Sequence, residues 1–465
     1  MRYVSTRGNA PSLDFAGVTL AGLAADGGLY IPEHWPRMTE EEIGALAGLS
    51  YVDTAVAVMA PFVAGSLTRD ELTSLCEAAY ARFHHAAVTP LVQVDHDQWL
   101  LELFHGPTLA FKDVALQLLG QLFERFLTGA DAHVTIIGAT SGDTGSAAID
   151  AVAGRQGVDI FMLHPEGRVS DVQRRQMTTV GAPNVHNIAI RGDFDTAQAL
   201  VKAMFNDAAF AGRFRLSAVN SINWARLMAQ VVYYFYAAVR LGAPHRKVAF
   251  SVPTGNFGDV FAGYVAAKMG LPVAKLVVAT NVNDILARAL STGDYSSRQV
   301  VATPTPSMDI QVSSNFERLL FDLGGRDGGA LAAQMRGFES TRAMQLTNAQ
   351  RDGAAPLFVG ERVDTDDMAL AMRAASDRSA QVIDPHTAIA YAAARRQAQP
   401  GVPMVTLATA HPAKFRDAVE RATGVRPALP ARVGDLFQRE ERFDVLDASY
   451  DAISSYIAAR AVPRG

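Results

Sequence analysis

Short apolar runs alternate with helical patterns from about residue 98 onward. This alternation predicts a mainly parallel sheet, because parallel strands are connected by helices and are covered on both faces. A long helix is predicted over residues 222–242, where the aromatic side chains indicate packing in the core. The clearest strand candidates are residues 99–104, 134–140, 159–164, 186–192, 247–253, 274–280 and 402–409.

Residues 38–90 show a helical pattern instead. Thr68 and Glu71 match a capping box, in which each side chain accepts a hydrogen bond from the backbone N–H of the other residue. A helix is therefore expected to begin directly after Thr68. Residues 296–309 include Pro304 and Pro306, and they are expected to form a loop at a domain edge or at an active site.

The composition sets limits on size, partners and location. The chain has 465 residues, 49% of them hydrophobic, so two or three domains are expected. With a formal net charge of -5, the chain has no overall positive potential that would attract anionic partners. We therefore expect no nucleic-acid or membrane partner. The one cysteine, Cys76, excludes an internal disulfide and a cysteine-rich metal site, and no metal ligands are predicted. The chain lacks an apolar run of the roughly 18–20 residues that span a membrane and lacks a signal-peptide pattern. A cytoplasmic location is expected.

Lys112 lies near the predicted start of a helix, after a strand that ends at Phe104 and a turn through Gly106 and Pro107. Apolar neighbours and the positive end of a helix both disfavour a charged amine and lower its pKa. A neutral lysine can act as a nucleophile toward a carbonyl group. The alternative is a surface lysine in a first helical turn, because most lysines are exposed.

Two polar turns join predicted strands to helices. In residues 140–145, backbone N–H groups and hydroxyls converge at a helix start and are suited to an anion such as a carboxylate. In residues 254–258, two glycines allow the backbone to wrap closely around a phosphate. Neither turn has the P-loop pattern or the dinucleotide fingerprint, so a nucleotide or nicotinamide enzyme is disfavoured. An ordinary N-cap with a glycine turn is the alternative interpretation of residues 140–145.

Thr409 ends another predicted strand, in the segment 407–415. A threonine at the carboxyl end of a strand lies at the usual ligand crevice of an open α/β sheet. The same residue is equally suited to cap the helix that follows. From the residues alone, both interpretations stay open.

Taken together, these segments resemble the threonine synthase family, in the tryptophan-synthase-β-like class (fold type II) of enzymes that use pyridoxal 5'-phosphate. The resemblance covers essentially the whole chain, and its motifs occur in the family's order. The motifs are YVSTRG, GGLYIP, HGPTLAFKD, TSGDTG, NSIN, PTGNFGD, TNVNDI, SMDI and TAHPAKF.

The resemblance implies roles for individual residues. Lys112 would carry the cofactor covalently, and Thr409 would contact the pyridine nitrogen. The turn that binds the cofactor phosphate would consist of Gly255, Asn256, Phe257 and Gly258, with Asp259 beside it. The loop that meets the substrate carboxylate would consist of Thr140, Ser141, Gly142, Asp143 and Thr144.

One position departs from the wider class. Many relatives have asparagine in a Ser-Gly-Asn turn, where it contacts the phenolic oxygen of the cofactor, but this chain has Asp143. A carboxylate next to a phenolate would be repelled, so Asp143 is expected to cap the helix or to order the loop. The group that meets the phenolic oxygen stays open.

The family's reaction implies O-phospho-L-homoserine and water as substrates, with L-threonine and phosphate as products. The departing phosphate would need cationic or hydrogen-bonding partners. The candidates are Asn220, Ser221, Asn223, Arg226 and Lys414. Two alternatives are kept: a serine or threonine dehydratase of the same class, and a catalytically silent homologue that retains the cofactor.

The resemblance also implies two parallel-sheet α/β domains with the cofactor in the cleft between them, plus an N-terminal, mainly helical region. We expect residues 1–90 to form the helical region, and residues 91–125 with 225–465 to form the large cofactor-binding domain. Residues 126–224 are expected to form the small domain that closes over the substrate. A monomer and a homodimer are both compatible with the sequence.

Overall fold

The amino-terminal region combines a two-stranded antiparallel sheet with four helices. The computed structural model describes residues 1–128 and 133–463. The predicted capping box is present, because Thr68 and Glu71 each accept a hydrogen bond from the other's backbone N–H. The elements are β1 (Tyr3–Ser5), α1 (Phe15–Ala21), β2 (Tyr30–Pro32), α2 (Glu40–Gly44), α3 (Tyr51–Val63) and α4 (Arg69–Tyr80).

Strands and helices alternate through the remainder of the chain, and all seven strands predicted from the sequence are present. Up to residue 217 the elements are β3 (Leu91–Asp95), β4 (Gln98–Glu102), α5 (Lys112–Leu127), β5 (Val134–Ala139), α6 (Asp143–Val152), β6 (Val158–Pro165), α7 (Asp171–Thr178), β7 (Val185–Arg191), α8 (Phe194–Asn206), α9 (Ala208–Phe214) and β8 (Leu216–Ser217). They continue with α10 (Trp224–Arg240), β9 (Val248–Pro253), α11 (Gly258–Met269), β10 (Val273–Thr280), α12 (Ile285–Thr292), α13 (Phe316–Leu323), α14 (Gly328–Thr341), α15 (Asn348–Ala354), β11 (Phe358–Arg362), α16 (Thr365–Ser379), α17 (Pro385–Arg396), β12 (Met404–Ala408), α18 (Arg416–Thr423), β13 (Asp444–Asp447) and α19 (Tyr450–Ala458).

The larger sheet has six strands in the order β11-β10-β9-β12-β4-β3. All neighbours in it are parallel except β3, which runs antiparallel to β4 as a hairpin at one edge. Because β4, β9 and β12 are adjacent and parallel, the segments that follow them leave the sheet on the same side. Those segments carry Lys112, the turn 254–258 and Thr409.

The smaller sheet has five parallel strands in the order β13-β7-β6-β5-β8. Its outermost strand corrects the predicted boundaries, which placed all of residues 225–465 in the large domain. β13 pairs with β7 from Asp444 opposite Ile188 to Asp447 opposite Arg191, so the chain returns to the small sheet near its end. Ile453 and Ile457 of α19 then pack into the small domain's core, which explains why this segment belongs there.

Helix α10 packs against both the amino-terminal region and the helices of the region that forms the larger sheet. It is buried from Trp224 to Val239 and packs against α3, α5 and α11. Its N-cap, Asn223, donates a side-chain hydrogen bond to the carbonyl of Thr19 in α1 at 2.9 Å. The amino-terminal region therefore fixes the start of the helix that carries Arg226. Across the described ranges, no helix is long and apolar enough to cross a membrane.

Candidate active site

A cavity of about 760 Å³ lies where the segments after β4, β5, β9 and β12 converge. Its wall contains every predicted site residue except Gly142, Asn223 and Lys414. The loop expected over 296–309 also contributes to the wall, through Ser297, Arg298 and residues 306–309. The structure thus brings together the lysine, both polar turns and the threonine that the sequence singled out.

Lys112 is the first residue of α5, as the pattern predicted. The turn before it is shaped by Asp113, whose carboxylate accepts hydrogen bonds from the backbone N–H (2.8 Å) and the hydroxyl (2.6 Å) of Thr108. Gly106 is required here, because a Cβ atom at this position would lie 2.4 Å from the Cβ of Asp113. Burial raises the pKa of Asp113 to about 7.

The Lys112 amine is buried and lies 3.8 Å from the nearer carboxylate oxygen of Asp143. Burial lowers the pKa of Lys112 to about 8, and the Asp143 carboxylate opposes that shift. The alternative of an exposed lysine in a first helical turn is therefore wrong. Near neutral pH this amine is poised between its charged and neutral forms, as a nucleophile that also exchanges protons must be.

The turn 140–145 is organised by Thr140, which is buried. Its hydroxyl oxygen accepts hydrogen bonds from the N–H groups of Gly142 and Gly145, both at 2.9 Å. Gly142 has φ 138, and a Cβ atom there would lie 2.6 Å from the side chain of Gln173. Gly142 therefore shapes the turn behind the cavity wall, while Thr140, Ser141, Asp143 and Thr144 line the cavity.

Asp143 does not cap α6, which corrects one of the two roles expected for it. The N-cap is Gly142, and Asp143 is the first helical residue. One oxygen of Asp143 accepts hydrogen bonds from Gln173 and from Lys414, each at 2.8 Å. Burial alone would raise the pKa of Asp143, but attraction to Lys414 and then Lys112 holds it well below its usual range.

Lys414 lies behind this carboxylate instead of in the cavity, which corrects its prediction as a phosphate ligand. Its side chain is fully buried, and its amine also donates to the carbonyl of Thr108 at 2.7 Å. The two polar partners of Lys414 are thus both close to Lys112. Asp143 faces the Lys112 amine, and Thr108 belongs to the turn that precedes Lys112.

The turn after β9 has the features of a phosphate site. Phe257 adopts a left-handed conformation with φ 62, which is uncommon outside glycine. It is the N-cap of α11, and within the described residues no side chain caps that helix, so its first N–H groups remain available to an anion. Gly255 permits close packing, because a Cβ atom there would lie 2.5 Å from the carbonyl oxygen of Ser307.

Asp259 follows directly in the first turn of α11. One of its carboxylate oxygens accepts hydrogen bonds from the hydroxyls of Tyr233 (2.5 Å) and Tyr234 (3.0 Å), which project from α10. Burial raises the pKa of Asp259 to about 7, so near neutral pH the group is partly protonated. A partly neutral acid repels a neighbouring phosphate less than an ionised carboxylate would.

Thr409 lines the cavity and is nearly buried. The alternative role as a helix cap is wrong, because the following 3-10 turn, Pro412–Phe415, is capped by His411 instead. The backbone carbonyl of Thr409 accepts a hydrogen bond from the N–H of Phe111 at 2.8 Å. The threonine hydroxyl is therefore not needed for the local fold and can serve a ligand.

The segment 220–226 contributes three of its four predicted ligands to the cavity wall: Asn220, Ser221 and Arg226. Asn223 is the exception, because its side chain accepts from the N–H of Ala225 and donates to Thr19, which leaves it buried away from the cavity. Arg226 is only 2% exposed, although most arginines in proteins are exposed. Its guanidinium donates to the carbonyl of Val219 at 2.8 Å, while its Nε has no partner among the described residues.

His386 is a site residue that the sequence did not reveal. It lines the cavity at the start of α17, where its Nδ1 lies 2.9 Å from the carboxylate of Asp384. Its buried Nε2 has no hydrogen-bond partner in the described part of the chain. The available signal was the Asp-Pro pair, which is typical of a helix start, but it says nothing about a cavity.

Comparison with protein families gives three matches that together span nearly the whole chain. Residues 2–80 match the family described as threonine synthase N terminus. Residues 83–409 match the pyridoxal-phosphate dependent enzyme family, and residues 387–457 match threonine synthase, C-terminal. The middle match contains Lys112, both turns and Thr409.

Individual proteins agree with the family matches. Threonine synthase from Pseudomonas aeruginosa is 54% identical over 460 residues, which cover 98% of each chain. The structure of PLP-bound threonine synthase from Brucella melitensis superimposes with a TM-score of 0.97 at 52% identity and covers 99% of both chains. The yeast threonine synthase structure gives a TM-score of 0.93 at 38% identity, covering 99% of this chain and 98% of that one. The chain therefore belongs to the threonine synthase family of fold type II, pyridoxal-phosphate-dependent enzymes.

Proposed function

We propose that this enzyme converts O-phospho-L-homoserine and water into L-threonine and phosphate, with Lys112 as its cofactor-carrying and proton-transferring residue. The observation that carries the proposal is the convergence of three features on one cavity. These are a buried amine with a pKa of about 8, an uncapped helix start suited to a phosphate, and a separate buried arginine.

The residues present fit pyridoxal phosphate. The Lys112 amine would supply the covalent attachment, and the Thr409 hydroxyl would contact the pyridine nitrogen. The phosphate would be held by the first N–H groups of α11 together with Gly255, Asn256, Phe257 and Gly258. When bound, the cofactor supplies an electron sink that makes the α and β carbons of an amino acid acidic.

During turnover, the Lys112 amine would transfer protons at the α and β carbons of the substrate. In its neutral form it removes a proton from carbon, and in its charged form it returns one. A pKa of about 8 places both forms within reach near neutral pH. Residues 140–144 bind the α-carboxylate, because the first two N–H groups of α6, those of Asp143 and Thr144, have no acceptor in the described residues, whereas that of Gly145 donates to Thr140.

The substrate phosphate is bound by Asn220, Ser221 and Arg226. Burial lowers the pKa of Arg226 to about 10, so the guanidinium remains a cation in need of an anionic partner. Among the described residues no carboxylate forms an ion pair with it, and its Nε is available. A dianionic phosphate in the cavity supplies that partner.

The buried cation Arg226 also favours this reaction over that of a serine or threonine dehydratase, because the substrates of a dehydratase carry no phosphate. The test measures phosphate release and threonine formation from O-phospho-L-homoserine, with homoserine and serine as control substrates. Equal amounts of phosphate and threonine support the proposal. Keto-acid formation from serine, without turnover of O-phospho-L-homoserine, would favour the dehydratase, and no turnover of any substrate would favour a silent homologue.

We further propose a cytoplasmic enzyme whose partners are small molecules. The formal net charge of -5 offers no overall attraction to nucleic acid or to anionic lipid, which supports this assignment. A monomer or a homodimer is proposed, and light scattering of the purified protein distinguishes the two.

A further inference from the structure

Asp143 lies between two lysines that come from different parts of the fold. One carboxylate oxygen is 2.8 Å from the amine of Lys414, and the other is 3.8 Å from the amine of Lys112. All three residues are buried. The first contact is a charge-assisted hydrogen bond, whereas the second is too long for one.

The position of the carboxylate is determined from the side opposite Lys112. The oxygen bound by Lys414 also accepts a hydrogen bond from Gln173 at 2.8 Å. Lys414 is itself fixed by donating to the carbonyl of Thr108 at 2.7 Å. With two donors on its far oxygen, the Asp143 carboxylate is held back from the Lys112 amine.

We propose that Lys414 is a positioning residue that acts through Asp143: by holding the carboxylate away from Lys112, it keeps the Lys112 amine available in its neutral form. The inference rests on the proposed function, in which Lys112 carries the cofactor. It also gives Asp143 a role at a position where many relatives have asparagine. The carboxylate charge is neutralised by Lys414 before any ligand arrives.

The charged groups that face Lys112 determine the sign of the effect. Asp143 and Asp113 favour its protonated form, while Lys414 and Arg226 favour its neutral form, and burial is the largest influence of all. Without Lys414, the carboxylate loses its partner and is free to approach the Lys112 amine to hydrogen-bonding distance. Both the lost repulsion and the closer carboxylate raise the pKa of Lys112, so less neutral amine is present at pH 7.

The test measures how fast the cofactor-free enzyme captures pyridoxal 5'-phosphate covalently, as a function of pH. Capture requires the neutral amine, so the rate rises with pH, with a midpoint that reports the pKa of Lys112. For Lys414→Met we expect the midpoint to rise by at least about one unit, which is about a tenfold slower capture at pH 7. For Asp143→Asn we expect the midpoint to fall below that of the wild type.

Lys268→Met removes a partly exposed lysine that pairs with Asp322 at 3.6 Å, and it serves as the matched control with an unchanged midpoint.

The double variant Asp143→Asn with Lys414→Met shows whether Lys414 acts through the carboxylate. We expect Lys414→Met to shift the midpoint much less in the Asp143→Asn background than in the wild-type background. Equal midpoint shifts in both backgrounds would overturn the proposal. So would an unchanged midpoint in Lys414→Met combined with slower capture at every pH, because Lys414 would then be only a structural residue. If Lys414→Met does not fold, a midpoint for Asp143→Asn at or above the wild-type value overturns it as well. Capture that persists in Lys112→Ala would instead refute the proposed function, so the two failures are distinguishable.

Discussion

The backbone N–H of Phe111 donates a hydrogen bond to the carbonyl of Thr409 at 2.8 Å. The N–H of His411 donates in turn to the carbonyl of Leu109 at 3.0 Å, so the two segments pair antiparallel around Ala110 and Ala410. This pairing fixes Lys112, next to Phe111, relative to the Thr409 hydroxyl. The proposed covalent attachment point and the proposed contact to the pyridine nitrogen are therefore held by one short backbone ladder.

Because the ladder uses only backbone atoms, the side chain of Thr409 can be replaced without moving Lys112. A neutral hydroxyl leaves the pyridine nitrogen unprotonated, whereas a carboxylate would favour a proton there. We expect Thr409→Asp to change the absorption spectrum of the bound cofactor and to lower the ratio of threonine to keto-acid side products. Thr409→Ser keeps the hydroxyl and should resemble the wild type. A Thr409→Asp enzyme with wild-type spectrum and product ratio would contradict the assignment.

Arg226→Ala should weaken the use of O-phospho-L-homoserine. Loss of one charge-assisted contact costs about 1.5–3 kcal/mol, which is about a tenfold to a hundredfold decrease in kcat/KM. Steady-state phosphate release measures this decrease, and titration of the cofactor should show nearly unchanged affinity for pyridoxal phosphate. Added inorganic phosphate should inhibit the variant less than the wild type.

The matched control is Arg240→Ala, at the opposite end of the same helix. Arg240 donates to the carbonyls of Tyr236 and Leu49, away from the cavity. We expect its kcat/KM and phosphate inhibition to equal those of the wild type. Equal inhibition of Arg226→Ala and the wild type would show that the substrate phosphate is anchored elsewhere.

Gly255→Ala should reduce affinity for the cofactor. The new methyl group would lie 2.5 Å from the carbonyl oxygen of Ser307, so the turn 254–258 must shift. We expect the Kd for pyridoxal phosphate to rise about tenfold or more, because forcing extra volume into a packed site typically costs about 1–3 kcal/mol. The control Gly337→Ala adds a methyl group with no neighbouring atom within 4 Å, and it should leave the Kd unchanged. An unchanged Kd for Gly255→Ala would remove this turn from the cofactor site.

The sequence predicted the central strands and missed those at the edges of the sheets. Central strands such as β6 are buried at every position, and β6 contains the apolar run 160–163. The missed strands are β1 and β2, which pair with each other, and β3, β8, β11 and β13, which are outermost in the two larger sheets. Strands β3, β11 and β13 include charged residues, for example Asp444 and Asp447 in β13, because edge strands avoid apolar exposure. The return of β13 to the small sheet was therefore not predictable from periodicity.

Within the site, local sequence patterns located several residues, whereas contacts between distant parts of the chain could not be predicted. Lys112, Thr409 and the two turns follow strand ends, which the sequence locates directly. Lys414 and Asn223 have the right chemistry for a phosphate, but their side chains are used by Asp143 and Thr19, contacts of high sequence separation. His386 enters the cavity because α17 packs on the large sheet, and its sequence context carries no such information.

The most direct test of the account is to identify the lysine that carries the cofactor. Borohydride reduction of the holoenzyme, followed by proteolysis and mass spectrometry, should place the cofactor on the peptide that contains Lys112. Lys112→Ala should show neither the label nor any phosphate release from O-phospho-L-homoserine, because one amine supplies both the covalent link and the proton transfer. A label on any other lysine, or turnover by Lys112→Ala, would contradict the account.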